Sequence, residues 1–457
     1  MESIWTAETK IQRRDPLPGD LETPAVVIGA GMTGILTAYY LKQAGIPAVV
    51  LEADRIGSGQ TKNTTAKITS QHGMIYARLT ESFGGRMAAH YAEANEEALR
   101  EYERLILEKK ISCDFVKCPA YLYSVDRQNG ETLLKREAAA AKSLGIRASF
   151  EKDSELPFPV AGTVKFEDQA RFHPLKFLDR LSEEVTVYEK TKALKVEEGL
   201  VETGRGRVSA EYIIFASHFP FINVPGYYFA RMYQERSYVM AVEDAAVLEG
   251  MYLGTGPLEL SFRPQGELLL AGGGNHRTGK NKRGGQYEML KNRVKAYYPD
   301  CRETARWSAQ DCMTLDGVPY IGRFSAGKSG WYVASGFGKW GMTSAMVSAR
   351  ILTAMIAGQA CEEADIFSPQ RRMTGRAVKE LFIHGMHTVK GFAKRLSPCG
   401  DGEIVPNCPH MGCRMEWNPE TASYDCPCHG SRFDKEGHLI DDPAQTDCEK
   451  RKRNHYV

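Results

Sequence analysis

Residues 25–53, AVVIGAGMTGILTAYYLKQAGIPAVVLEA, constrain this chain more than any other stretch. The apolar run Ala25-Val26-Val27-Ile28 reads as a buried strand. Gly29, Gly31 and Gly34 then supply G-x-G-x-x-G at the opening of an apolar-periodic helix, and a second apolar run ends at Glu52. Three spaced glycines alone say little. Set in a strand–turn–helix–strand unit, with an acid 18 residues past the last glycine, they form a dinucleotide-binding fingerprint. Gly29 permits the tight turn, Gly31 lets the backbone approach a pyrophosphate, and Gly34 lets helix and strand pack closely. The helix N-terminus, with Thr33 in its first turn, offers unpaired N–H groups to phosphate, and Glu52 accepts from ribose hydroxyls. The alternative is a βαβ unit that binds nothing.

The other informative tract is Cys408-Pro409-His410-Met411-Gly412-Cys413, followed by Cys426-Pro427-Cys428-His429-Gly430-Ser431. It offers C-x-H and C-x-x-H half-sites separated by 15 residues. Structural zinc sites usually use C-x₂₋₄-C half-sites. An ordinary [2Fe–2S] ferredoxin uses four cysteines, whereas a Rieske centre has two cysteines on one iron and two histidines on the other. Mixed half-sites suit that asymmetry, a zinc site of new spacing being the alternative. Cys413 and Cys428 each stand beside a ligand and can pair, tying the two loops together.

Over about residues 402–445 the tract resembles the cluster-binding loops of the Rieske family, in the subgroup whose loops carry a disulfide. The resemblance implies Cys408 and Cys426 on one iron, His410 and His429 on the other, and a Cys413–Cys428 bridge. It puts Ser431 where a hydroxyl hydrogen-bonds a cluster sulfur, and Phe433 where high-potential members carry tyrosine. The expected potential therefore falls below the top of a range of roughly −150 to +300 mV. Fewer than ten residues separate the Ser397–Gly400 turn region from Cys408, so the base sheet of the domain is expected to be cut down. The linker or the main domain would then cover its exposed side.

With 457 residues the chain has room for two or three domains. A net charge of +2 argues against a nucleic-acid partner. No signal peptide opens the chain and no apolar run is long enough for a membrane helix, so a soluble cytoplasmic protein is expected. Of eleven cysteines, the seven outside the cluster tract lack disulfide-framework spacing and read as thiols of a reducing compartment.

The continuation of the fingerprint selects FAD over NAD. Gly57–Lys67 is a hydroxyl-rich segment, carrying Thr61 and Thr65, suited to a second pass along a long dinucleotide. Tyr212–Ser217 is an apolar strand ending in small residues at Ala216. Later come the Trp307–Gly322 tract, the glycine-rich Trp331–Gly341 and a helix-like Met342–Gly358. This order resembles the D-amino-acid oxidase/glycine oxidase superfamily across about residues 20–360. The resemblance implies that Gly336, Gly338 and Gly341 form the turn that aims a helix N-terminus at the flavin. It also implies a strand near Lys192–Val196 passing the adenine, with Ala193 as the contact.

The expected fold is α/β, a Rossmann-like FAD-binding domain with an antiparallel-sheet substrate domain, plus a small all-β Rieske domain. The expected boundaries are an extension over 1–22, an FAD-binding domain over 23–100, 166–225 and 305–360, and a substrate domain over 101–165 and 226–304. A linker helix follows over 368–397 and the Rieske domain over 400–457. Tyr121–Val125, Leu258–Arg263 and Glu267–Gly272 read as substrate-domain strands.

Amino-acid oxidases of this superfamily carry W-x-G-x-R-P-x-T-x-D-G-x-P-x-I-G, whose arginine clamps the substrate carboxylate. Aligning Trp307 with Thr314-Leu315-Asp316-Gly317 puts Asp311 at the arginine's place. A carboxylate favours a cationic amine, so Gln310 and Asp311 tilt the expected substrate from an amino acid toward an amine. Arg323, Arg263, Arg231 and Arg277 are alternative clamps, and Lys339 and Trp340 sit in the flavin-facing turn. Cys312 falls three residues from the place of the flavin-linking cysteine of some relatives, near Ala309, and reads as ordinary. His72 and His218 read as structural, and no general base is assigned.

Residues 371–396 space Val378, Leu381, Phe382, Met386, Val389, Phe392 and Leu396 along one helical face, and seven Lys/Arg accompany the single acid Glu380. Packing between domains is the preferred reading of this helix; contact with an anionic membrane surface is the alternative. The D-x-x-H-x₄-H pattern of Rieske oxygenases is absent. The expected function is a dehydrogenase that oxidises a small amine or amino acid at the flavin and releases electrons singly through the cluster to an unknown acceptor. Reversed flow and a non-catalytic redox sensor are the rivals.

Overall fold

The computed structural model describes residues 2–393 and 404–450. Its first sheet is centred on β1 (Leu21–Ile28), which leads through the glycine turn into α1 (Met32–Gln43) and back to β2 (Ala48–Leu51). Parallel pairing sets Ile28 beside Leu51 on one side and Phe215 of Gly206–Phe215 on the other. Strand Thr186–Tyr188 extends the sheet beyond β2, and the hairpin Ala193–Glu197/Leu200–Thr203 extends it beyond Gly206–Phe215. Ala25–Ile28 is buried at every residue, as a strand covered on both faces requires.

The second sheet has eight strands, antiparallel except where Met251–Gly254 runs beside Ala120–Ser124. One edge is made by β3 (Met232–Glu243) and the outermost β4 (Arg302–Thr314), paired from Met232 opposite Thr314 to Glu243 opposite Arg302 with a register shift between Ala241 and Val242. The strand expected over Leu258–Arg263 instead runs Ser261–Gln265. Its first residues form a turn, because the Glu259 carboxylate accepts from the backbone N–H groups of Val125 and Thr255.

Helix α2 (Gly341–Ile356) packs on α1. Both are apolar nearly all round, which suits helices covered on all sides. Further along, α3 (Gly375–Ala393) leads towards a four-stranded meander of Glu416–Asn418, Ser423–Asp425, Arg432–Phe433 and Leu439–Asp441. A bridge between Ile404 and Lys450 closes this small domain.

The face of α3 that packs is narrower than the one its periodicity suggests. Ala377, His384 and Gly391 are buried, whereas Val378, Phe382, Met386 and Val389 are exposed. Leu396 and the Ser397–Gly400 turn lie outside the described residues. Among those described, no helix is long and apolar enough to cross a membrane.

Candidate functional site

A cavity of about 750 Å³ lies where the two sheets meet. Gly29, Gly31, Thr33, Glu52, Thr61, Thr65, Ala193 and Ala216 line it, together with Gly336, Gly338, Lys339 and Gly341. Gly34 lies beneath the turn, where a side-chain carbon would overlap the Gly29 carbonyl oxygen. At the N-terminus of α1 the Met32 N–H donates to Thr61 Oγ1 (3.1 Å). Glu52 accepts from the Ala30 N–H (2.7 Å) and the Asp54 N–H (2.8 Å). Two indoles peg the loop that crosses in front of the turn, Trp5 donating to Thr64 O (2.7 Å) and Trp307 to Asn63 O (2.9 Å).

At the turn before α2, Trp340 stacks on His72 with ring centroids 4.7 Å apart. Tyr91 Oη and Thr69 O each lie 2.6 Å from a His72 ring nitrogen. Burial holds this imidazole neutral, its pKa pushed down to about 3. His218 also lines the cavity and is likewise lowered by burial. The Gly338 N–H donates to Cys312 O (2.9 Å), joining the turn to β4, and burial raises the Cys312 thiol well above its usual range. Cys312 is thus a buried neutral thiol.

Among the charged groups lining the cavity, Asp311 and Lys67 bear most on its chemistry. Burial pushes Asp311 up to about 6, opposed by the neighbouring Lys339 ammonium and reinforced by Glu235. Lys67 donates to Ser261 Oγ (2.6 Å) and Tyr252 O (3.2 Å). Burial first, then the like charge of Arg263, lowers it to about 7. Among the described residues, no carboxylate lies within ion-pair distance of Lys67.

In the small domain Cys408, Cys426 and His429 are all but fully buried. The Cys408 thiol is in hydrogen-bond contact with Cys426 and Ser431. The His410 and His429 rings meet edge to face with centroids 4.9 Å apart. Both nitrogens of His429 and Nδ1 of His410 are buried without a partner. Burial lowers both imidazoles, His410 to about 4, which keeps them in the neutral form that binds metal. Cys413 and Cys428 are joined in a disulfide across the two loops. Phe433 is fully buried in the domain core.

The cluster loops dock on the edge of the second sheet through their backbone carbonyls. Gln234 Nε2 donates to His429 O (2.9 Å) and Asp442 O (2.8 Å). Gln310 Nε2 donates to Gly430 O (2.9 Å) and Gln234 Oε1 (2.7 Å). Arg277 donates to Pro427 O (3.2 Å), Cys428 O (3.0 Å) and His384 Nδ1 (2.6 Å). His384 in turn hydrogen-bonds Phe229 O (2.8 Å), and His410 Nε2 lies 2.9 Å from Asn223 Oδ1. Gly279 makes the approach close, since any side-chain carbon there would overlap the Pro427 backbone.

Residues 25–355 match the family model of FAD dependent oxidoreductases, DAO, and residues 403–451 match the Rieske [2Fe-2S] domain. This chain belongs to the DAO family of FAD-dependent oxidoreductases. It is 33% identical to the Rieske 2Fe-2S iron-sulfur protein YhfW of Bacillus subtilis, over 97% of this chain and 96% of that one. The cluster tract is 49% identical over 49 residues to cytochrome b6-f complex iron-sulfur subunit 2 of Trichormus variabilis, covering 11% of this chain and 26% of that one. Glycine oxidase of Geobacillus kaustophilus has the same fold over 77% of this chain and 100% of its own, with a TM-score of 0.66 at 16% identity.

The DAO-family chain therefore carries FAD and a [2Fe–2S] cluster, and its residues fit both. The glycine turn, the Glu52 carboxylate and the N-terminus of α1 converge on one cavity, as a dinucleotide requires. Two thiols and two neutral imidazoles with unsatisfied nitrogens converge behind a disulfide, as an asymmetric iron–sulfur centre requires.

One residue expected in the substrate pocket lies elsewhere. Gln310 faces the cluster loops and does not line the cavity, because successive side chains of β4 point to opposite faces and Asp311 takes the inward one. None of the four arginines weighed as clamps lines the cavity, and three are committed elsewhere. Arg231 donates to Pro369 O, Arg263 to Phe172 O, and Arg277 to the cluster loop. Lys67, Gln234 and Asn223 were not singled out by sequence reasoning. The one available signal was Lys67 itself, a cation closing the hydroxyl-rich segment.

Proposed function

We propose that this enzyme oxidises a small molecule bearing both an amine and an anionic group such as a carboxylate. The bound FAD supplies hydride acceptance, and the cluster supplies one-electron transfer to an external acceptor. Asp311 is the group on the wall that suits a cationic amine. Lys67 is a cation held by neutral acceptors, and an anionic substituent would supply its missing counter-charge. The tilt toward an amine, drawn from Gln310 and Asp311, gives way to a substrate with both charges.

The observation that carries the electron-exit reading is the strand β4 at residues 310 and 311. Asp311 lines the cavity while its neighbour Gln310 hydrogen-bonds the backbone between His429 and Ser431. The cavity wall and the cluster loop are thus one peptide unit and one hydrogen bond apart. The test is anaerobic titration of the loaded protein with a panel of amines and amino acids, followed by visible spectra. The flavin should bleach first and the cluster second. A panel in which no member bleaches the flavin, or a flavin that bleaches while the cluster stays oxidised, would overturn the proposal.

A further inference from the structure

We infer that the outer face of α3 docks the protein on an anionic membrane surface. At about 100° per residue, Val378, Phe382, Met386 and Val389 fall within about 80° of arc. They form one apolar stripe, with Phe382 71% and Val389 67% exposed. Single exposed hydrophobics are ordinary; a contiguous stripe along three turns of one helix is what interaction surfaces display.

The helix cannot turn this stripe inward. On its opposite face His384 is fixed by Arg277 and by Phe229 O, Gly391 O accepts from the Arg414 N–H (3.2 Å), and a side chain at Gly391 would collide with Cys428 Sγ. Val224 and Tyr227 are two further exposed hydrophobics, at 61% and 54%. They adjoin the Tyr228–Arg231 helix that packs against α3.

Charge decides the occupant. Lys379 and Lys390 follow the stripe along one flank, and among the described residues neither forms an ion pair. The only acid on the helix, Glu380, lies on the inward side. An apolar stripe edged by unpaired cations complements anionic headgroups above an acyl layer. The helix lies on such a surface and does not cross it. This docking is independent of which substrate the cavity takes, and it sets the cluster loops directly behind the bound face.

The test is co-sedimentation of the full chain, loaded with FAD and cluster, with phosphatidylglycerol-containing vesicles and with pure phosphatidylcholine vesicles. Binding is expected to the anionic vesicles alone and to weaken as salt rises. The double variant F382E/M386E should lower the vesicle-bound fraction at least tenfold. Lys379→Gln and Lys390→Gln should each lower affinity about fivefold. Both cofactor spectra should remain unchanged, because these side chains point outward. Equal binding to both vesicle types, no binding to either, or a vesicle-free dimer abolished by F382E/M386E would overturn the inference.

Discussion

The FAD cradle and the cluster pocket are both short loops presenting ligands, yet they are held in place by different means. The phosphate-binding part of the cradle is local: β1, the glycine turn, α1, β2 and the loop carrying Thr61 lie within about forty residues, and parallel backbone pairing positions them. The cluster ligands are also close in sequence, but their loops are oriented from afar. Asn223, Gln234, Arg277 and Gln310 reach them across more than 100 residues of chain. The phosphate-binding turn brings its own scaffold, whereas the cluster loops are braced by side chains of the oxidoreductase.

The largest effect expected from breaking this comparison is at a ligand. On the proposed assignment of Cys408 and Cys426 to one iron, Cys426→Ala should abolish the cluster entirely, read as loss of bound iron and of the EPR signal after reduction. The flavin should remain bound and still bleach with substrate, since no cradle element touches Cys426. Loss of the flavin along with the iron would show that the two sites are not separable.

A smaller effect is expected where the chain leaves the oxidoreductase for α3. Arg371 forms a two-pronged ion pair with Asp316, at 2.7 and 2.9 Å, and donates to Val318 O and Pro319 O. Both side chains are almost fully buried. Arg371→Met strands the Asp316 carboxylate and should cost about 3–5 kcal/mol in denaturant unfolding followed by flavin release. Asp316 is held below its ordinary value despite burial, by the Arg371 guanidinium. Its contribution is therefore present at neutral pH and lost on acidification, so the gap between wild type and variant should narrow as pH falls. A constant gap would assign the loss to packing.

The same contrast explains which parts of the molecule could be read before folding. The fingerprint, the cluster-binding tract and the Cys413–Cys428 pairing were legible because each is a pattern of near neighbours on the chain. The alignment put Asp311 at the clamp position, on the cavity wall, but it also placed Gln310 in the pocket, because position in a motif does not carry the face of a strand. The period of α3 was visible, yet which face would be covered depended on Arg277 and the Cys428 loop. Arg277 was read as a possible substrate clamp for the same reason. Its role is set by carbonyls 150 residues away.

The smallest effect concerns Asp311 and Lys67 on the cavity wall, and it is the sharpest test of how the cradle side selects its substrate. Asp311 is raised to about 6 by burial, with Lys339, Glu235 and Arg236 acting on it, so it becomes an anion only above that pH. Lys67 is lowered to about 7 by burial and by Arg263, with Cys118 opposing, so it stops being a cation above that pH. For a substrate that needs both charges, kcat/KM, which reports the free enzyme, should rise through about pH 6 and fall through about pH 7. Asp311→Asn should erase the rising limb and Lys67→Met the falling one, each costing about 1.5–3 kcal/mol in kcat/KM, the worth of a charged hydrogen bond. A falling limb that survives Lys67→Met belongs to some other group. A profile flat across this range would remove both residues from substrate recognition and return the anionic clamp to an arginine.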